Sequence, residues 1–413
     1  MRGISVCVLL LIPGIVSCSN DHQTSLLQVP DQFQSIQDAI DNAQAGDIVE
    51  VKPGVYNESL IIDKDRIVVR GTDRNSVILD GQYALANGIF VAANDIRIEN
   101  LTVHSFTQNG IFFSGIDVAE RENGSGKELL YGTNGASLTG FEVRWITAYN
   151  NGLYGIYAFA SQDGLITDSL VSGHPDSGIY VGQCKPCKTI IRRVVAEFNA
   201  IGYYGTNASG DVYVIESTFR FNRLGVAPNS QRSEMLYPQE ETYIVGNHVH
   251  DNDEPRAPKI MDGFFGGGIV VGGGSRNLIA RNRVTGHDFV GIAVTDFNDF
   301  TPSNNEIREN TAGDNGFDLV ISLRESSSGR SNCFAANVYD SSSPPRIQEA
   351  FPCGKSGSGA QLANIIPPES PTNVDYREIP APHSQPTMPR GQFSRRAGVT
   401  SFIAPELDSI RLP

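Results

Sequence analysis

Four groups of residues in this 413-residue chain have types and spacings that could do chemistry. Cys184 and Cys187 form a Cys-x-x-Cys within "SGIYVGQCKPCKTIIRRVVAEFNA", residues 177–200. Such a pair serves as half of a zinc site, as a redox dithiol or as a disulfide clamp. No second Cys-x-x-Cys completes a zinc site, and a redox pair sits at a helix N-terminus, whereas this one lies between strand-like runs. A clamp across a turn is the expectation, with Cys333 to Cys353 as a second disulfide closing the last repeat. His248, His250 and Asp251 in "HVHD", with Asn252 and His287 one repeat apart, offer ligands for a metal. Strand alternation sends His248 and His250 to one face and Asp251 to the other, so the metal stays unassigned. Loops carry Asp163, Asn207, Asp211, Asn229, Glu234, Asp296 and Arg324, and any general acid, base or Ca²⁺ ligand is expected among them. Asp163, Asp211, Asp296 and Arg324 are the catalytic candidates, although each alone reads equally well as a solvated loop residue. Last, Phe90, Phe112, Tyr157, Tyr180 and Tyr204 recur at one phase and offer planes on which sugar rings stack.

The elements that must position these residues follow from a repeat. A Gly-Ile or Gly-Val phrase returns at Gly88, Gly110, Gly155, Gly178, Gly202 (as "GYYG"), Gly225, Gly268 and Gly291, in steps of 22, 45, 23, 24, 23, 43 and 23. The two long steps hold polar insertions, one at 114–135 and the other in the segments "NSQRSEMLYPQEE" and "DEPRAPKIMDGFFG". "FDLVI" from Phe317 continues the series without its glycine. Within each repeat, apolar and polar residues alternate in short β-branched runs separated by Gly, Asn or Asp, which is the pattern of strands and turns. Strands stacked in parallel coils give a solenoid, whereas a propeller blade needs roughly 40 residues per repeat.

Alternation then aims the residue after each Gly-Ile outward. The five aromatics form a strip on consecutive coils, continued by Ala227, Val270, Ala293 and Val320. That strip is a binding surface if open and a covered ladder if packed under the 114–135 insertion or the tail. Asn207 and Asn229, on the flanking loops, join the five rings as substrate-binding candidates. Asn150, His174, Asn199, Asn222, Asn252, His287 and Asn315 fall at matching turns and read as a ladder of stacked side chains. "SIQDAIDNAQAGD" places Ile36, Ala39, Ile40 and Ala43 on one helical face with Ser35 as N-cap and Gly46 at the stop, a plug for the open N-terminal end. Nine of the 22 prolines follow Ile366, giving an extended Pro- and Ser-rich tail over 354–413.

Residues 1–18, "MRGISVCVLLLIPGIVSC", read as an export signal, and the closing "IVSC" resembles a bacterial lipobox that would make Cys18 the lipidated first residue. No other apolar run approaches the ~20 residues of a membrane-spanning helix. Lys plus Arg is 32 against 46 for Asp plus Glu, a net of 32 − 46 = −14 with no basic cluster, which argues against nucleic acid as a partner.

"SIQDAIDNAQAGDIVEVKPGVYNESLII", then "IVVRG" and the Gly-Ile/Asn coils, resembles the right-handed parallel β-helix repeat proteins of the pectate-lyase-like superfamily, over residues 28–353. The resemblance implies the fold and leaves the activity open among lyases, hydrolases, epimerases, methylesterases and non-enzymatic maturation proteins. The polygalacturonase Asp pair and Gly-His-Gly are absent, and the epimerase Asp-Pro-His is replaced by "HPD" at His174–Asp176. A methylesterase-like Gln162-Asp163 lacks its downstream partner motif. Lyase chemistry, which pairs Ca²⁺-binding carboxylates with Arg or Lys, has no short motif to test.

The resulting expectation is an all-β, single-stranded right-handed parallel β-helix of nine to eleven coils. A signal fills 1–18, the β-helix 19–353 and the tail 354–413. It is expected to be an exported, lipid-anchored bacterial monomer, touching membrane only through its anchor, that binds an extended polysaccharide. In the fuller version it modifies that glycan as a lyase or epimerase before a hydrolase, with Ca²⁺ as the one cofactor the chemistry suggests. The alternative is a non-enzymatic envelope scaffold that assists periplasmic metalloenzyme assembly.

Overall fold

The computed structural model describes residues 23–115, 118–123, 126–131, 138–263, 265–324, 331–355, 357, 360–362, 365–393 and 398–413. The export signal and Cys18 therefore lie outside the described residues. Each coil contributes one strand to each of three parallel sheets, as in Ser161–Thr167, Leu170–Ser172 and Ser177–Cys184. The first sheet has 12 strands, from Leu26–Val29 to Cys333–Ala335; the second has 10, from Gly54–Tyr56 to Thr311–Gly313; the third has 11, from Leu60–Ile62 to Ser342–Ser343. The chain is an all-β parallel solenoid of about 12 turns. That slightly exceeds nine to eleven, because end coils such as Leu26–Val29 and Ile48–Val51 lack the Gly-Ile phrase that marks the middle ones.

The phrase recurs for a steric reason. A Cβ on Gly155, Gly202 or Gly225 would stand 2.6, 2.6 and 2.5 Å from the carbonyl oxygen of the next glycine in the column, closer than side-chain carbons come. The following residue points into the core, where Ile156, Ile179, Val226, Ile269 and Ile292 stack in register and are fully buried. Burial of such columns, at about 25 cal/mol per Å² of apolar surface, is the main stabilising term.

Corners between strands are closed by inward-facing amide ladders. At the second-to-third corner, Asn151, His174, Asn199, Asn222, Asn252, His287 and Asn315 bond in sequence, each side chain reaching the next coil. The member from the first of these coils is Asn151 rather than Asn150, whose amide instead donates to the carbonyl of Ile379 in the tail. His174 and His287 are ladder members: Nδ1 donates to Asn199 or Asn315 while Nε2 accepts from Asn151 or Asn252. That arrangement needs a neutral ring, and burial lowers both pKa values to about 4. Two further ladders, Asn247–Asn282–Asn310–Asn337 and Gln239–Asn277–Asn305–Asn332, close the other corners.

The helix Ile36–Asn42 lies against the first coils with Ile36, Ala39 and Ile40 buried, and the Ser35 hydroxyl caps it at Asp38 N. Disulfides join Cys184 to Cys187 and Cys333 to Cys353. No helix among the described residues is long and apolar enough to cross a membrane.

Past the last coil the chain wraps the solenoid, held largely by buried arginines that read its backbone. Arg223 donates to the carbonyls of Pro371 and Thr372, Arg74 to that of Pro386 and Arg97 to that of Gly398. Phe402, Leu407 and Ile410 then pack on Ile190, Tyr213 and Tyr243, covering the outer side of the first sheet. One broad outer face, that of the third sheet, is left to the two lips described next.

Candidate functional site

Along the third sheet the outward column runs Ile61, Phe90, Phe112, Tyr157, Tyr180, Tyr204 and Ala227, then Val270, Ala293 and Val320, in the expected register. Ring centroids follow one another at 5.4, 4.4, 5.0 and 5.7 Å from Phe90 to Tyr204, so the five aromatics touch as one strip. Their accessibility differs from the fully outward expectation. Phe90, Phe112 and Tyr157 are half-buried, whereas Tyr180 and Tyr204 are only 4% and 3% exposed. The cover over Tyr180 and Tyr204 is the segment 230–238, which returns over the sheet as one lip; the segment 253–263, whose Lys259, Ile260 and Met261 lie beside Asp176 and Ile201, forms the other.

Asn207 and Asn229 hold the first lip in place. Asn207 donates to the carbonyl of Gln231 and accepts from its N–H at 2.7 and 3.0 Å, and Asn229 Oδ1 accepts from Gln231 Nε2 at 3.0 Å. Both asparagines are buried, so they anchor a loop rather than face a ligand, a correction to their assignment as substrate contacts. The loop then delivers Glu234 onto the strip, where it accepts the Tyr180 hydroxyl. Gly182 makes room: a Cβ there would lie 2.4 Å from the Tyr180 ring and 3.0 Å from Glu234 Oε2.

A second carboxyl stands close enough to repel it. Asp176, at the corner before Ser177–Cys184, accepts the Tyr154 hydroxyl at 3.2 Å. Burial pushes the Asp176 pKa up to about 6, and burial plus the Asp176 charge pushes Glu234 up to about 7. Asp176 Oδ1 and Glu234 Oε2 are buried without a hydrogen-bond partner among the described residues. No arginine or lysine pairs with either carboxyl among the described residues. Two carboxyls that titrate near neutrality, beside tyrosine hydroxyls, can give and take protons at one place. The Tyr157 ring connects this pair to the open strip, 4.5 Å from Tyr154 and 5.0 Å from Tyr180.

Among the sequence candidates, Asp296 and Arg324 come together: Arg324 N donates to Asp296 Oδ2 at 2.6 Å, on the third sheet's outer side near Val320. Asp163 and Asp211 fall elsewhere. They occupy a column of left-handed turn residues entering the first sheet, with φ of 55° and 60°, where Asp and Asn are well tolerated. His287 is committed to its ladder, and among the described residues no group of three or more His, Cys, Asp or Glu could hold a metal ion. Asp176 escaped sequence reasoning; its trace was the "HPD" triplet, read only for its order of residues.

A family model for the right-handed β-helix region matches residues 87–235 and 207–349. Among solved structures the chain is similar to the A-module of an Azotobacter vinelandii mannuronan C-5 epimerase, at 12% identity over 83% of this chain and 97% of that one, with a TM-score of 0.48. It is similar also to a pectate lyase, at 11% identity over 93% and 96% with a TM-score of 0.48. A mannuronic acid specific polysaccharide family 6 lyase from human gut microbiota gives 11% identity over 77% and 83%, with a TM-score of 0.44. A search of the curated proteins finds no match.

Proposed function

As the chain belongs to the right-handed β-helix family, we propose that it binds an extended polysaccharide along the outer face of its third sheet and modifies it by proton transfer. One observation carries this reading: the half-buried rings of Phe90, Phe112 and Tyr157 run directly into a tyrosine-held pair of carboxyls raised toward neutrality. Sugar C–H faces stack on the rings, and the column spaces successive contacts at about one coil, so the ligand is a chain rather than a single sugar. At neutral pH Asp176 and Glu234 share protons between ionised and neutral forms. The ionised carboxylate takes the proton from the carbon beside a uronate carboxyl. The partner carboxyl, or a tyrosine hydroxyl, then protonates the leaving glycosidic oxygen as a carbon–carbon double bond forms, which is elimination. Returning the proton to the opposite side of the same carbon is epimerisation. No observation favours the scaffold alternative.

A glycan panel of polyuronates and neutral polysaccharides, with and without Ca²⁺, tests the reading by following binding together with the ultraviolet absorbance of an unsaturated product. Binding of at least one polyuronate, weakened by Tyr157→Ala, is the expected result. Silence across the panel overturns it.

The same reading includes export with Cys18 as lipid anchor, supported by the N-terminal sequence and by two disulfides that suit an oxidising compartment. The intact mass of the mature chain checks this. A lipid-modified Cys18 terminus is expected, and an unmodified terminus elsewhere overturns the anchor.

A further inference from the structure

Beyond Tyr204 the outward column turns from rings to small apolar residues, and the space they leave is partly enclosed. A cavity of about 730 Å³ lies there, large enough for a ligand of several fused or linked rings. Val270, Ala293 and Val320 form its floor. Phe265 and Phe289 stand on one side and Phe297 with Leu323 on the other, while Leu362 and Ile365 of the wrapping tail close the top. These residues present hydrocarbon, and apolar residues make up most of the lining, so an apolar body gains by occupying it.

Thr295, Asp296, Ser322 and Arg324 break the lining, and of these Asp296 is the buried carboxylate. The Asp296 side chain is 8% exposed and its Oδ2 takes the Arg324 N–H, but its Oδ1 is buried with no hydrogen-bond partner among the described residues. A carboxylate so under-satisfied, lining a largely apolar cavity, favours an incoming donor. The Arg324 guanidinium, 66% exposed, marks the open end of the same wall.

We propose that this cavity binds a compact hydrophobic molecule bearing a single O–H or N–H donor, with the donor proton directed to the Asp296 carboxylate. The site is separate from the carboxyl pair of Asp176 and Glu234, and its occupancy does not require that a glycan be bound. The floor supplies the contact area, the aromatic walls fix the plane of the ligand, and Asp296 sets which end enters.

N-phenyl-1-naphthylamine, an apolar fluorophore with one N–H, is a suitable probe for the full-length chain. Titration is expected to give a saturable, one-to-one rise in fluorescence. Ala293→Trp, which fills the floor, should abolish it. Leu362→Asp on the roof should weaken it at least tenfold in a protein with unchanged circular dichroism, which covers the case in which the tryptophan disturbs folding. Asp296→Asn, able to turn an amide donor toward the ligand, should raise the Kd about tenfold, and 1-phenylnaphthalene, which lacks the N–H, should compete about tenfold less well. A non-saturable signal, or one unchanged in both Leu362→Asp and Asp296→Asn, would overturn the proposal.

Discussion

The outer faces of the first and third sheets are made by the same strand alternation, and they have opposite fates. On the first, Glu50, Arg70, Glu99 and Arg144 stand in register and alternate in charge, with Arg97 beside Glu142. Arg70 reaches Glu50 at 3.3 Å, and Arg144 and Arg97 reach Glu99 and Glu142 at 2.6 and 2.7 Å. Phe393, Gly398 and Thr400 of the tail then lie over these charges. Each of these charges has a partner of opposite sign. On the third, Asp176 and Glu234 are set among rings, with no cation paired to either among the described residues. The first arrangement holds the molecule together; the second carries a burial cost that no ion pair offsets, and the proposed function turns on it.

Breaking the covered face should have the largest effect. Glu99→Ala removes the buried carboxylate that Arg70, Arg97 and Arg144 share, leaving three guanidinium groups to Glu50 and Glu142, and is expected to cost about 3–5 kcal/mol, measured by urea unfolding, with glycan affinity of the folded fraction unchanged. A loss below 1 kcal/mol would remove the distinction between the faces.

The ladder that frames the third sheet makes a pH prediction. His174 and His287 have folded pKa values near 4 against 6.5 unfolded, so their contribution is fully present above pH 6.5 and is lost as pH falls toward 4. The loss is about 1.4 kcal/mol per pH unit for each ring. Replacing both by asparagine, the residue the other coils use, should flatten that part of the acid limb; an unchanged slope would show that the rings are charged in the fold.

Glu234 works in the opposite direction. Its folded pKa is raised above its unfolded value, so the protonated form favours folding, and stability falls as pH rises from about 4.5 through about 7. Glu234→Gln should match the parent at pH 4 and exceed it by about 1–3 kcal/mol at pH 8, while losing any turnover. Equal stability at both pH values would mean that the carboxyl is not raised.

The smallest effect separates the two faces by binding alone. Tyr157→Ala should lower glycan affinity about tenfold, or ~1.4 kcal/mol, whereas Tyr213→Ala, under the tail on the first sheet, should leave it unchanged. Equal losses would place the ligand elsewhere.

What could be read from the sequence tracks what is periodic. The Gly-Ile spacing alone put Phe90 through Val320 in one column, because a solenoid repeats the same steric demand on every coil. Two of the three corner ladders went unread, although Asn247, Asn282 and Asn310 keep the steps of Asn252, His287 and Asn315. The carboxyl pair was not legible in this way. Asp176 and Glu234 meet because an insertion folds back over the sheet, and no spacing encodes that return. The tail's path was equally hidden, since Arg74, Arg97 and Arg223 recognise backbone carbonyls that every residue carries.

Hydrogen–deuterium exchange of the full chain, with and without the polyuronate that binds, tests the central claim most directly. The account predicts new protection in the strands Ile89–Val91, Ile111–Ser114 and Tyr154–Phe159 and in the lip at 230–238, with the first sheet and residues 398–413 unchanged. Protection confined to the first sheet or to the wrapping tail would contradict it.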